Sequence, residues 1–469
     1  MTGVRTAAAG TLGAIAILAL LAGVTGSGDV GAAPDDGPPN ILIIVTDDQR
    51  LPGTLEVMPK TESWFKHGGT YFSSAVTTTP TCCPARSSIL TGRYAHNHGV
   101  HTSERGQAEA LDHDTTLPRY LHEAGYTTGM LGKFLNGWRV EEPPPYFDSW
   151  ALFSTGPTKA YYGAEWNVEG KLRRIKRYST DFVADRAVKF LNRSEAIDDQ
   201  PWFLYVAPNA PHAPSIPEPE YADAEVPPFD ANPAVLEEDL SDKPPYVQEN
   251  PRKEVDRMAD KNGKQLRTLM SVDDLVDETM QTLHDLDESH DTLAFFISDN
   301  GFLLGEHGLG GKRYPYDPSV EVPMFMRWPD HVAEGAVDDR LVANIDIAPT
   351  VFEAVGIEPD HVVDGRSLFD TAYARGRILI EHWLRSKRTT PDWAGLRTSS
   401  YVYVEYFAKD SERLISEYEE YYDVLSDPYQ LENLLGDTDD DNDPQTLPLS
   451  IQLIRDFRCE GTSGPQACP

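Results

Sequence analysis

Asp47-Asp48 and Asp299-Asn300 are paired oxygen ligands, and each pair follows an apolar run that reads as a buried strand, 41–45 and 292–297. A third such run, 202–206, leads to Asn209 and His212. Ligands of open α/β sheets gather outside the carboxyl ends of the strands, so three strand ends would aim carboxylates, amides and an imidazole at one edge. Carboxylate and amide oxygens are hard donors of the kind Ca²⁺ or Mg²⁺ takes, and Ser298 and Gly301 frame the second pair. The sequence has no Cys/His cluster of zinc spacing to compete with them. Either pair alone reads as a turn or helix cap; it is the sum that points to a metal.

The elements that must carry these groups alternate between helix and strand. Residues 117–124 have helical character, are stopped by Gly125 and lead to a strand at 126–131. An amphipathic stretch at 182–191 precedes the 202–206 strand, and apolar residues at helical spacing over 266–286 precede the 292–297 strand. This is the pattern of an α/β protein with a mostly parallel sheet. Further on, 378–380, 401–406 and 420–424 read as strands and 450–457 as a helix. With 469 residues and 40% hydrophobic content, the chain suits a large domain, placed at 40–370, with a smaller companion at 371–469.

Bulk charge excludes some partners. There are 41 Lys+Arg against 75 Asp+Glu, a formal charge of -34, which repels nucleic acid and anionic membranes; no nucleic acid and no stable membrane partner are expected. An anion site in such a chain must be made locally positive by metal, Lys and Arg. Residues 1–33 read as a signal peptide: Arg5, an apolar run over 12–24, then Gly31-Ala32-Ala33. That run is short of the roughly 20 residues of a spanning helix, so a secreted protein is expected in preference to an uncleaved anchor. Cys459 and Cys468 close a short loop containing Gly and Pro, and in an exported protein a disulfide is favoured over two free thiols.

Cys82 and Cys83 sit in the string Thr81-Cys82-Cys83-Pro84-Ala85-Arg86-Ser87-Ser88-Ile89-Leu90-Thr91-Gly92-Arg93. It resembles the signature of the type I sulfatases, C-x-P-x-R followed by Leu-Thr-Gly-Arg, in which the first Cys is converted to formylglycine. Pro84 and Arg86 stand at the required offsets from Cys82 and not from Cys83, which leaves Cys83 as a structural neighbour. Further elements resemble the family's in order: Gly132-Lys133, Pro211-His212-Ala213-Pro214, Ser298-Asp299-Asn300-Gly301, Lys312, and Tyr422-Asp423-Val424-Leu425-Ser426-Asp427-Pro428. The resemblance implies an alkaline-phosphatase-like fold, a large mixed sheet flanked by helices with a smaller C-terminal α+β domain.

It also implies hydrolysis of sulfate monoesters, aryl sulfates or 6-O-sulfated amino sugars and glycans, through a formylglycine gem-diol and a sulfated enzyme intermediate. Asp47, Asp48, Asp299, Asn300 and the residue at Cys82 would hold Ca²⁺, with Mg²⁺ the alternative. Arg86 would orient the diol. Lys133, His212 and Lys312 would hold the ester oxygens, with His212 or Lys312 protonating the departing alcohol. The implied partners are a sulfated small molecule or glycan and a formylglycine-generating enzyme. One position departs from the pattern: Leu135 stands where many arylsulfatases have a His. The string Gly132-Lys133-Phe134-Leu135-Asn136 instead looks like the branch of N-acetylglucosamine-6-sulfatases and extracellular heparan endosulfatases, and His98 and His307 are the other candidates for the second-step base. Two alternatives stay open, a phosphate mono- or diester hydrolase of the same superfamily and a non-catalytic binder of sulfated glycans. The intact C-x-P-x-R weighs against the first and the complete ligand set against the second.

Other features read more plainly. The Pro-rich, acidic stretch 213–260 is either a lid over the site or a solvated excursion. The basic run 171–177 is a solvated face before it is a polysaccharide grip, and 437–443 is an acidic turn without the Gly and Glu of a calcium loop.

Overall fold

A computed structural model describes residues 1, 37–153, 160–196, 200–384, 390–408, 415–437, 439 and 441–469. The expected signal peptide, 1–33, lies outside the described residues apart from Met1. Among the described residues, no helix is long and apolar enough to cross a membrane.

Strand β1 (Asn40–Thr46) is buried at every residue, because it runs through the middle of a sheet covered on both faces. The chain then forms β2 (Thr70–Val76), β3 (Thr127–Gly132), β4 (Ser149–Phe153), β5 (Glu165–Val168), β6 (Lys171–Arg174), β7 (Trp202–Ala207) and β8 (Thr292–Ser298). The short β9 (Leu303–Leu304) and β10 (Gly310–Gly311) pair with each other, and β11 (Met324–Arg327) and β12 (Ala336–Ala343) return to the large sheet. Its order is β12-β2-β11-β8-β1-β7-β3-β4-β5-β6. The central strands β8, β1, β7, β3 and β4 are parallel, whereas β11 and the β5–β6 edge are antiparallel, so the sheet is mixed. The basic run begins on β6, an edge strand exposed along its length, where charge blunts further pairing.

Alternate residues of β1 face opposite layers. Ile41, Ile43 and Val45 pack with helices α1 (Cys82–Thr91), α2 (Leu117–Glu123) and α5 (Ile347–Val355). Leu42 and Ile44 pack with α3 (Ser179–Glu195) and α4 (Val255–Asp285). Helix α4 begins about three turns before the expected 266. Those turns, carrying Asp256, Arg257, Asp260, Lys261 and Lys264, hold little apolar periodicity to read.

The second sheet, antiparallel, takes β13 (Ile378–His382), β14 (Asp392–Arg397), β15 (Tyr401–Phe407) and β16 (Ser416–Asp423) in that order, and α6 (Thr446–Asp456) packs on it through Leu453. Strand β14 was not expected, since Gly395 weakens its strand pattern; that glycine is required because a Cβ would lie 2.8 Å from the Tyr403 carbonyl oxygen. Glu420 on β16 is a fully buried carboxylate that accepts hydrogen bonds from Tyr316 (2.9 Å) in the loop after β10 and from Tyr406 (2.5 Å) and Tyr422 (2.6 Å) of its own sheet. Cys459 and Cys468 are disulfide-bonded, with Cα atoms 4.9 Å apart. Replacing both by serine removes a closed loop that constrains the unfolded chain by about 2–3 kcal/mol. Hydrogen exchange is expected to quicken over 446–469 in that variant and to stay unchanged over β1.

Candidate active site

The parallel strands carry their C-terminal residues to one edge. Asp47 and Asp48 leave β1, Lys133 leaves β3, Asn209 and His212 follow β7, and Asp299 and Asn300 follow β8. Register aligns Thr46 with Ser298, Gly132 with Ala207 and Asp47 with Pro211. Asp48 takes a left-handed backbone, φ 69°, a conformation Asp tolerates better than most residues, and its N–H donates to Asp299 Oδ1 at 3.2 Å.

Helix α1 brings the thiol to the same place. All ten of its residues are buried, Ser103 Oγ accepts from the Cys83 N–H at 3.1 Å, and Gly92 ends it in a left-handed turn. Pro84 lies in the first turn, where its missing N–H has no helical partner to lose. Arg86 stands four residues after Cys82 and therefore on the same helix face. Its Nε donates to Asp299 Oδ2 and its Nη1 to the Lys133 carbonyl, both at 2.8 Å, tying the ends of β8 and β3 together. The C-x-P-x-R spacing is thus what one helical turn requires.

Around Cys82 Sγ lie Asp47 Oδ1 at 3.4 Å, Asp48 Oδ1 at 4.0 Å and the Lys312 ammonium. Lys133 Nζ is 2.5 Å from Asp47 Oδ2, and Lys312 pairs with Asp48. His212 donates from Nδ1 to the Ala213 carbonyl (2.8 Å), which turns Nε2 toward Asp48 Oδ2 at 3.7 Å. Asp47, Asp48, Cys82 and His212 offer ligand atoms all within 4.8 Å of one another. Asn300 donates from Nδ2 to Asp48 Oδ1 (2.8 Å), while its Oδ1 is buried with no hydrogen-bond partner. A buried amide oxygen left over among carboxylates fits a hard cation.

Three buried carboxylates therefore face three permanent cations. Burial opposes ionisation of Asp47, but Lys133 foremost, with His212, Arg86 and Lys312, holds it far below the usual carboxylate range. Asp48 is likewise lowered, against burial, chiefly by Lys312. Asp299 goes the other way, raised by burial and by Asp47 against the pull of Arg86. Burial pushes the Cys82 thiol up to about 12, so as an unmodified thiol it is protonated at neutral pH and a poor nucleophile.

Asp47, Asp48, Cys82, Arg86, Lys133, His212, Asp299, Asn300 and Lys312 lie together, whereas Cys83 turns to the Asn136 carbonyl and Arg93 to Glu460. The candidate bases do not reach this centre: His98 Nε2 is 3.1 Å from Ser88 Oγ and buried, and His307 is held by Glu237 at 2.7 Å. Leu135 is buried in the core. Two supports were missed. Arg50 and Glu306 form a buried ion pair at 2.8 Å, and Asn344 accepts from the Thr78 N–H while donating to the Ala85 carbonyl of α1. Glu306 sits beside the noticed His307 and Arg50 beside the noticed Asp48, so proximity was the available signal. Gly132 shows why the Gly-Lys pair is needed: at φ +99°, an added Cβ would lie 2.0 Å from the Ala207 carbonyl oxygen. Gly132→Ala is expected to lower the thermal midpoint by several degrees, whereas Gly99→Ala, also at positive φ but with open space around it, loses only about 1–2 kcal/mol; calorimetry distinguishes them.

Comparison with known proteins agrees with this geometry. The sulfatase family profile matches residues 39–357, and that of the N-sulphoglucosamine sulphohydrolase C-terminal region matches 305–455. The chain is 33% identical to the extracellular sulfatase SULF-1 homolog of Drosophila melanogaster over 74% of its own length, but spans only 32% of that protein. It is 27% identical to the human N-acetylglucosamine-6-sulfatase, covering 92% of this chain and 87% of that one. A solved structure described as a complex with its substrate D-glucosamine-2-N,6-O-disulfate shares the fold, with a TM-score of 0.73 at 21% identity over 89% of this chain and 96% of the other. With the profile spanning the whole sheet edge from Asp47 to Lys312, the chain belongs to the sulfatase family.

Proposed function

We propose that this protein hydrolyses sulfate monoesters, with residue 82 as nucleophile after conversion of Cys82 to formylglycine. The observation that carries the reading is the placement of Cys82 Sγ, at the head of α1, against both Asp47 and Asp48 and beside Lys312. The hydrated aldehyde supplies one hydroxyl to attack sulfur and a second to expel sulfate, an exit that a plain alcohol lacks. A divalent cation, Ca²⁺ in our reading with Mg²⁺ the alternative, would be held by Asp47, Asp48, Asp299, Asn300 and residue 82, and would polarise a sulfate oxygen.

The chain's own groups do the rest. Arg86 fixes the nucleophile's helix against Asp299 and adds positive charge. Lys133 and Lys312 bring ammonium groups to the sulfur's surroundings, where charge develops on the oxygens. His212, the one partly open member of the cluster, serves as the acid for the departing alcohol, with Lys312 the alternative. Sulfated sugars with a 6-O-sulfate on an amino sugar are the substrates the human relative's name and the Gly132-Lys133-Phe134-Leu135-Asn136 string support. The reading includes a catalytic domain at 40–370 and a smaller one at 371–469. It also includes export, supported by the apolar N-terminal segment, and maturation by a formylglycine-generating enzyme.

Four outcomes are expected. Mass spectrometry of the peptide spanning Cys82, from protein made in a host that has the maturation enzyme, should find an aldehyde in place of the thiol; an intact thiol in fully active protein sinks the nucleophile assignment. Cys82→Ala should abolish turnover of 4-nitrophenyl sulfate with the fold unchanged, and Cys82→Ser should stall after one sulfation. Steady turnover by the Ser variant, or preference for 4-nitrophenyl phosphate, would favour a phosphate-ester hydrolase. Exhaustive chelation should remove activity that Ca²⁺ restores, while an unaffected rate rules out the metal.

A further inference from the structure

Helix α4 carries two kinds of positive charge. Lys264 is paired with Asp260 at 2.6 Å on one face. Arg257 and Lys261, one turn apart and on the same side of the helix as Lys264, form no ion pair among the described residues, and neither does Lys253 just ahead of the helix. Lack of an ion pair is shared with the exposed run 171–176; what sets these three apart is their place.

Their place is defined by contacts. The Lys261 ammonium lies 3.8 Å from the centre of the Phe302 ring, two residues past the proposed ligand Asn300. The Lys253 stem lies against Gly310, where a Cβ would sit 3.4 Å from its Cγ, two residues before Lys312. The unpaired charges thus flank both segments that bring Asn300 and Lys312 to the centre. Lys261 is only partly exposed, and burial, with Lys312, Arg257 and Lys253 adding repulsion against the pull of Asp48, lowers its pKa to about 8. A cation desolvated and crowded by like charges is stabilised by an incoming anion.

We propose that Lys253, Arg257 and Lys261 form an anion-binding track beside the catalytic centre that takes a second sulfate or carboxylate of an anionic oligosaccharide. The inference rests on the sulfate-ester reading and narrows it: the preferred substrate carries an anionic group besides the one removed. The track would give a polyanionic ligand local positive charge beside the catalytic edge of an otherwise acidic chain.

The test uses full-length protein with Lys253→Gln, Arg257→Gln and Lys261→Gln combined. Two probes serve, a fully sulfated heparin tetrasaccharide and 4-nitrophenyl sulfate, which has no second anion. In a Cys82→Ala background, the triple change is expected to weaken tetrasaccharide binding, read by calorimetry, by about tenfold or more and to flatten its salt dependence. With Cys82 retained, turnover of 4-nitrophenyl sulfate should change less than about twofold, since an exposed track adds little for a ligand that does not reach it. Unchanged tetrasaccharide affinity, or equal losses on both probes, overturns the track. A protein that turns over neither probe but loses tetrasaccharide affinity on the triple change keeps the track and loses the sulfatase reading.

Discussion

Like charges forced together in a buried place govern this structure. Asp47, Asp48 and Asp299 converge at the sheet edge with almost no exposure, and at such depth their repulsion would be prohibitive without compensation. Arg86, Lys133 and Lys312 provide it, each from a different element: a helix, a strand end and the loop after β10. The fold can therefore be seen as a device for delivering three cations to three anions. The left-handed turn at Asp48 and the close backbone approach at Gly132 sit at the strand ends that carry these groups.

The carboxylate side of this arrangement was legible in the sequence because β1, β7 and β8 are buried on both faces and read as unbroken apolar runs ending in polar residues. The cationic side was not legible from spacing. Nothing in the periodicity around Lys133 or Lys312 distinguishes them from surface lysines, and only the ordered family motifs marked them. The signature is an intermediate case. Its C-x-P-x-R string looks like a loop motif, yet it is the first turn of a wholly buried helix whose residues include Arg86, Ser87 and Ser88, so hydrophobicity gave no hint of burial.

The elements that escaped did so for related reasons. The first turns of α4 are polar because they cover no core except through Met258, and a helix extended by its neighbours carries little pattern of its own. Strand β14 is short and interrupted by Gly395, placed there by the approach of β15. Asn344 and Ser103 act through hydrogen bonds to the backbone in and before α1, and long-range bonds of that kind leave no trace in local sequence.

Glu420 has a wider meaning than its three hydrogen bonds suggest. Tyr316, one of the donors, is four residues past Lys312, so the loop that presents the ammonium to Cys82 is anchored in the second sheet. The smaller sheet is then a buttress of the catalytic edge, and the two cannot drift apart in evolution as independent modules. A lineage that trimmed or exchanged the C-terminal sheet would have to find another way to immobilise the loop. This links the inheritance of the second sheet to the chemistry of the first, even though its strands contribute no residue to the site.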